Sequence, residues 1–209
     1  MEDKEIYAEI SSIRNLMERS TKFISLSGLS GVMAGVYALI GAAFAYKILY
    51  LNGDVTTYFS MDRTEGFGTI LWQLSLTGLI VLTLSITTGI LLTVRKARKN
   101  GLSVINPSSK ALLVSGGIPL VTGGIFAIIL LMRFDFGIIS STCLIFYGLA
   151  LVAASQHTFG DVKWLGIFEI ILGLLALTIP GYGLYIWAFG FGVLHILYGT
   201  IMHFKYDRK

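Results

Sequence analysis

Long apolar runs separated by short polar breaks dominate the chain. They cover about 23–51, 69–94, 111–132, 137–155, 164–179 and 184–204. Runs of this length match a bilayer core of ~30 Å when wound as α-helices. They are continuously apolar, whereas barrel strands alternate and stop after about ten residues. The pattern therefore predicts an all-α polytopic membrane protein with six transmembrane helices. The connections are mostly short, which predicts three antiparallel hairpins. The chain divides into a lead-in segment, 1–22, and a six-helix membrane domain, 23–209.

The lead-in segment has a different period. Ile6, Ile10, Ile13 and Met17 recur at helical spacing, with Glu5, Glu9, Arg14, Glu18 and Arg19 as charged companions. This predicts an amphipathic helix. It fits an interfacial position, or pairing with a second copy or with a cytoplasmic or membrane protein partner through residues 4–22. The first apolar run is too long for the core of a secretory signal.

Charge sets the orientation. With the N-terminus inside, Lys4, Arg14, Arg19, Lys22, Arg95, Lys96, Arg98, Lys99, Lys110, Lys163, Lys205, Arg208 and Lys209 are cytoplasmic. Arg63 and Arg133 fall in outer loops, and Lys47 near an outer helix end can snorkel. This asymmetry predicts cytoplasmic termini on both sides of the domain. Apolar residues make up 55% of the chain and charged residues 13%. That excludes a soluble enzyme domain, a disordered tail and a nucleic-acid module. Cys143 is the single cysteine, so neither an intrachain disulfide nor a cysteine zinc site is expected.

Glycine is abundant, at 24 residues. Gly28 and Gly35, Gly116 and Gly123, and Gly166 and Gly173 are each seven apart in the outward-running spans. Gly78 and Ser85, Gly148 and Ser155, and Gly192 and Gly199 repeat the interval in the inward-running ones. Two readings stay open: a threefold repeat of hairpins, or the close approach that small residues allow between membrane helices. Gly31-Val-Met-Ala-Gly35 is a small-xxx-small motif, suited to packing within the chain or to a homo-oligomer interface. Pro119 is expected to kink the third span.

Two ionisable residues fall inside spans. Glu169 lies ~9 Å above Lys163, and His195 ~15 Å above Lys205, at the helical rise per residue. The short turn Pro180-Gly181-Tyr182-Gly183 holds their helices side by side. Tyr198 lies one turn below His195. Glu169, His195 and Tyr198 thus form a candidate intramembrane polar cluster, because a charged group in hydrocarbon needs a partner. It suits a structural staple, a proton or cation relay, or an acid–base pair. His157, His203 and Asp161 near the inner surface lack tight ligand spacing, so no metal site is expected. No nucleophile elbow, zinc-protease motif or phosphate loop is present, so no catalytic residues and no cofactor are expected.

The segments Arg19-Ser-Thr-Lys-Phe-Ile-Ser-Leu-Ser-Gly-Leu-Ser-Gly31 and Trp187-Ala-Phe-Gly-Phe-Gly-Val-Leu-His-Ile-Leu-Tyr-Gly199 resemble motifs of an uncharacterised family of small bacterial polytopic membrane proteins. The resemblance runs the whole chain and implies a bacterial inner-membrane location, with no implied chemistry. Two functions are compatible with these features. One is a non-enzymatic interaction or regulatory component that works through helix packing. The other is a small transporter or channel that uses Glu169 and His195. Membrane lipids and a second copy of the chain are the expected partners.

Overall fold

The protein is described from a computed structural model covering residues 22–23, 25–51 and 67–207. The expected amphipathic helix and residues 52–66, expected as an outer loop, lie outside these residues. The described chain is helical, with no strand among the described residues. The helices are α1 (Gly28–Leu51), α2 (Phe67–Lys99), α3 (Pro107–Arg133), α4 (Phe136–His157), α5 (Asp161–Thr178) and α6 (Gly183–Asp207). All except α5 are long and apolar enough to cross a membrane. The exception is the 18-residue α5, which carries Asp161, Lys163 and Glu169.

Local chemistry explains the breaks. Gly101 takes the left-handed conformation (φ 64°) after Asn100 and ends α2. A left-handed residue after the last turn satisfies orphan carbonyls, and here the Leu102 amide donates to the Ala97 carbonyl at 2.9 Å. Asn106 then caps α3 through its side chain, which accepts from the Ser109 amide, while Ser109 Oγ accepts from the Asn106 amide. Pro107 occupies the first turn, where its missing amide hydrogen costs nothing. The helix continues through Pro119 to Arg133 as one element.

The sixth helix is the axis of the assembly. It lies against α1 along much of its length and meets the α4/α5 pair on its other side, while α2 flanks α1 and α3 flanks α4. The consecutive pairs α1/α2 and α3/α4 pack as antiparallel neighbours. The tightest seams, however, are α4/α5 and α1/α6, and α1 and α6 stand at opposite ends of the sequence. Consecutive α2 and α3 do not form a packed pair. Three separate hairpins therefore describe the packing incompletely.

Glycine makes these seams. On α1/α6, a Cβ at Gly199 would sit 2.5 Å from the Val32 amide nitrogen and 2.7 Å from the Gly28 carbonyl oxygen. Gly31 and Gly35 face Gly199 and Gly192. On α4/α5, a Cβ at Gly166 would sit 2.6 Å from the Gly148 carbonyl oxygen. Gly173 meets Ile145 and the Ser141 carbonyl, and Gly116 and Gly123 of α3 meet Ala154 and Phe146 of α4. On α1/α6 and α4/α5 these include approaches to backbone atoms that any side chain would hold apart, whereas Gly123 makes room for the Phe146 side chain. Gly31 and Gly35 thus pack against α6 within the chain. Gly78, by contrast, has nothing within 4 Å, so the seven-residue interval is not a packing device in α2.

One end of the bundle gathers the basic residues and the termini of α1 and α6. There the Phe23 amide donates to the His157 carbonyl at 2.7 Å, and Thr158 Oγ donates to the Phe23 carbonyl at 2.8 Å. Asp207 ties three helices at this end. Its carboxylate accepts from Lys96 Nζ of α2 at 2.6 Å and from the Gly28 amide of α1 at 3.0 Å. It also lies 3.1 Å from His203 Nδ1. An acidic group at the start of α1 also complements that helix dipole.

Candidate functional site

Glu169 and His195 are brought together by α5 and α6. His195 Nδ1 is 3.3 Å from Glu169 Oε1, and Glu169 is fully buried. The local backbone prepares this contact. Residues Ala188–Leu194 form a π-helical turn, a wide turn in which one residue more than usual is wound in. The carbonyl of Gly190 lies 3.0 Å from His195 Nδ1, five residues on. Gly190 also makes room for the carboxylate, since a Cβ there would stand 2.5 Å from Glu169 Oε2 and 2.7 Å from Leu144 Cδ2.

The hydrogen-bond network assigns the histidine tautomer. A carbonyl oxygen only accepts, so Nδ1 carries a hydrogen and donates to Gly190. The other nitrogen, Nε2, lies 2.8 Å from the Tyr147 hydroxyl of α4. With neutral imidazole the tyrosine donates to Nε2; with imidazolium the direction reverses. In neutral imidazole the nitrogen without a hydrogen is therefore Nε2, which faces Tyr147. The Nδ1–H is aimed at Gly190, which leaves both oxygens of Glu169 without a hydrogen-bond partner. A buried carboxylate in that state is costly unless a proton or a nearby positive charge neutralises it. Protonation of His195 places that positive charge 3.3 Å away.

Aromatic rings continue the line from the histidine. Phe191 stacks on the imidazole at 5.7 Å between centroids, Tyr147 lies 4.9 Å from Phe191, and Trp187 5.0 Å from Phe191. Trp187, Phe191 and His195 recur every four residues, so they share one face of α6. Tyr147, Phe191 and Trp187 are half-buried, whereas Glu169 and His195 are buried behind them.

Tyr198 does not belong to this cluster. It lies beside the Leu165 backbone and within electrostatic reach of Asp161, toward the basic end. Three residues rotate a side chain by ~300° and lower it by ~4.5 Å, enough to leave the His195 contact. Helical side chains also lean toward their own N-terminus, which directs His195 away from the basic end and toward Gly190 and Tyr147. Tyr147 takes the role expected of Tyr198. Nothing in the local pattern of α4 marks it; the Gly148–Gly166 approach next to it brings α4 close enough to matter.

Of the three residues considered for a metal, His203 and Asp161 have side chains engaged elsewhere. His157 gives its carbonyl to Phe23, and His203 lies against Asp207. Asp161 accepts from Lys205 Nζ at 2.7 Å and from the Tyr206 hydroxyl at 2.8 Å. Among the described residues no group of three or more His, Cys, Asp or Glu side chains is placed to hold a metal ion. No family model, curated protein or solved structure matches the chain.

Proposed function

We propose that this chain is a multi-pass protein of the bacterial inner membrane with both termini cytoplasmic, and that it is a small transporter or channel worked by a proton on Glu169–His195–Tyr147. One observation carries the reading: a fully buried carboxylate with neither oxygen hydrogen-bonded and one of them 3.3 Å from an imidazole whose far nitrogen meets a half-buried tyrosine. A packing staple would hydrogen-bond its polar atoms, whereas neither oxygen of this carboxylate is in a hydrogen bond. A proton arriving at the Tyr147 hydroxyl passes to His195 Nε2 as the tyrosine gives up its own hydrogen and takes another. The resulting imidazolium neutralises Glu169 without moving a heavy atom. Proton binding and release at such a site bias the packing of α4, α5 and α6, which meet there.

The test is a pH jump applied to reconstituted protein on a solid-supported membrane, which reads charge displacement on proton uptake and needs no known substrate. The wild-type protein gives a transient that Glu169→Gln and His195→Gln both abolish. An identical transient in Glu169→Gln refutes the proton role. In that case the alternative, a non-enzymatic interaction component, gains support from α2 and α3, each of which packs mainly against one neighbour.

A further inference from the structure

The segment joining α2 to α3 is unusually one-sided. Residues 95–110 contain Arg95, Lys96, Arg98, Lys99 and Lys110 and no Asp or Glu. Lys96 is committed to Asp207 and the Leu26 carbonyl. Arg95, Arg98, Lys99 and Lys110 are exposed, and none of them is in an ion pair among the described residues. Four unneutralised cations thus stand where α2 ends and α3 begins.

Apolar surface adjoins them. Leu102 and Ile105 of the connection are exposed, as are Leu113 and Val114 just inside α3. Above this level α2 and α3 do not pack on each other, although a few residues join them. Like charge at their adjoining ends and the lack of extensive packing between them leave their apolar lengths to be covered by something else.

We infer that this end of α2 and α3 binds an anionic phospholipid, its phosphate on Arg98, Lys99 and Lys110 and its acyl chains along the two uncovered helices. The charge complementarity selects an anion. The apolar residues interleaved with the cations select a lipid over an acidic soluble protein, which would cover the charges and leave Ile105 and Leu113 in water. The inference rests on the membrane reading above, and it is independent of the proton site.

Native mass spectrometry of the full-length protein, released from micelles containing phosphatidylglycerol or phosphatidylcholine, tests it. The wild type retains phosphatidylglycerol at least ~10-fold better, as expected when several basic side chains engage one anionic headgroup. The combined Arg98→Gln, Lys99→Gln and Lys110→Gln variant loses the preference, and Arg98→Lys with Lys110→Arg keeps it. Lys163→Gln, an exposed cation on α5, leaves it unchanged. Equal retention of the two lipids by the wild type, or an undiminished preference in the triple variant, overturns the proposal. So does loss of the preference in the presence of an acidic protein that competes more strongly than lipid. A chain that stays in the aqueous phase without detergent refutes the membrane reading instead.

Discussion

At the scale of single residues, Tyr147 is the part of the site most open to test. Its hydroxyl makes the hydrogen bond to His195 Nε2, whereas Tyr198 lies elsewhere. Tyr147→Phe removes the hydroxyl and leaves Nε2 buried without a partner, a loss of ~1–3 kcal/mol in stability. It should also slow the pH-jump transient. Tyr198→Phe should leave the transient at the wild-type rate. Denaturant unfolding and the transient measured on both variants check this; equal effects would return Tyr198 to the cluster. Glu169 and His195 were legible in the sequence, because charged positions are scarce in apolar spans and depth can be counted at a fixed rise. Tyr147 was not, since a tyrosine within an apolar run has no periodic signature and its partner lies 48 positions away.

Among the helices, backbone contact is the organising feature, and glycine makes it possible. Gly199→Ala places a methyl against the Val32 amide and the Gly28 carbonyl, atoms that cannot swing aside. The α1/α6 seam must then open, at a cost of ~1–3 kcal/mol. Gly78→Ala, in open surroundings, should be neutral or slightly stabilising through helix propensity. Thermal unfolding of the two variants in the same detergent distinguishes them, and similar midpoints would contradict the seam. The seven-residue interval signalled close packing from sequence. It did not say which helices meet: the two segments around Gly28 and Gly199, far apart in the chain, turn out to be each other's packing surface.

The whole molecule is fastened at its basic end by two acidic residues, one at the start of α5 and one at the end of α6. Asp207 joins α6 to α1 and α2, and Asp161 joins α5 to the end of α6. Burial alone would raise the Asp161 carboxyl. The hydrogen bonds from Lys205 and Tyr206, with the Lys205 charge, outweigh it and hold the group below the ordinary carboxylate value. A depressed folded value means that its contribution is complete above the unfolded pKa of ~3.9 and is lost as the pH falls through the folded value. Asp161→Asn should therefore lower the unfolding midpoint at neutral pH, and the gap from wild type should close at acid pH below that range. A gap independent of pH would contradict the linkage. Lys96→Met leaves the Asp207 carboxylate partly buried without its strongest partner and should destabilise more than Lys163→Met, whose lysine is exposed. Side-by-side unfolding of these two variants is the check.

The sequence by itself determined that the apolar runs are helical, where they begin and end, and that Glu169 and His195 lie within about one helical turn of each other in depth. Those properties follow from hydrophobic period and from the constant rise of a helix, both of which act over a few neighbouring residues. Tertiary structure alone decided that α6 is central, that α1 lies against it, that Asp207 reaches Gly28 and Lys96, and that Tyr147 and not Tyr198 completes the polar line. Long apolar helices are nearly equivalent in hydropathy, so nothing in that pattern ranks one neighbour above another. The choice falls to shape, to which glycine faces allow backbones to touch, and to where a widened turn at Ala188–Leu194 redirects a side chain. Those are properties of pairs of surfaces, and they exist only once the chain has folded.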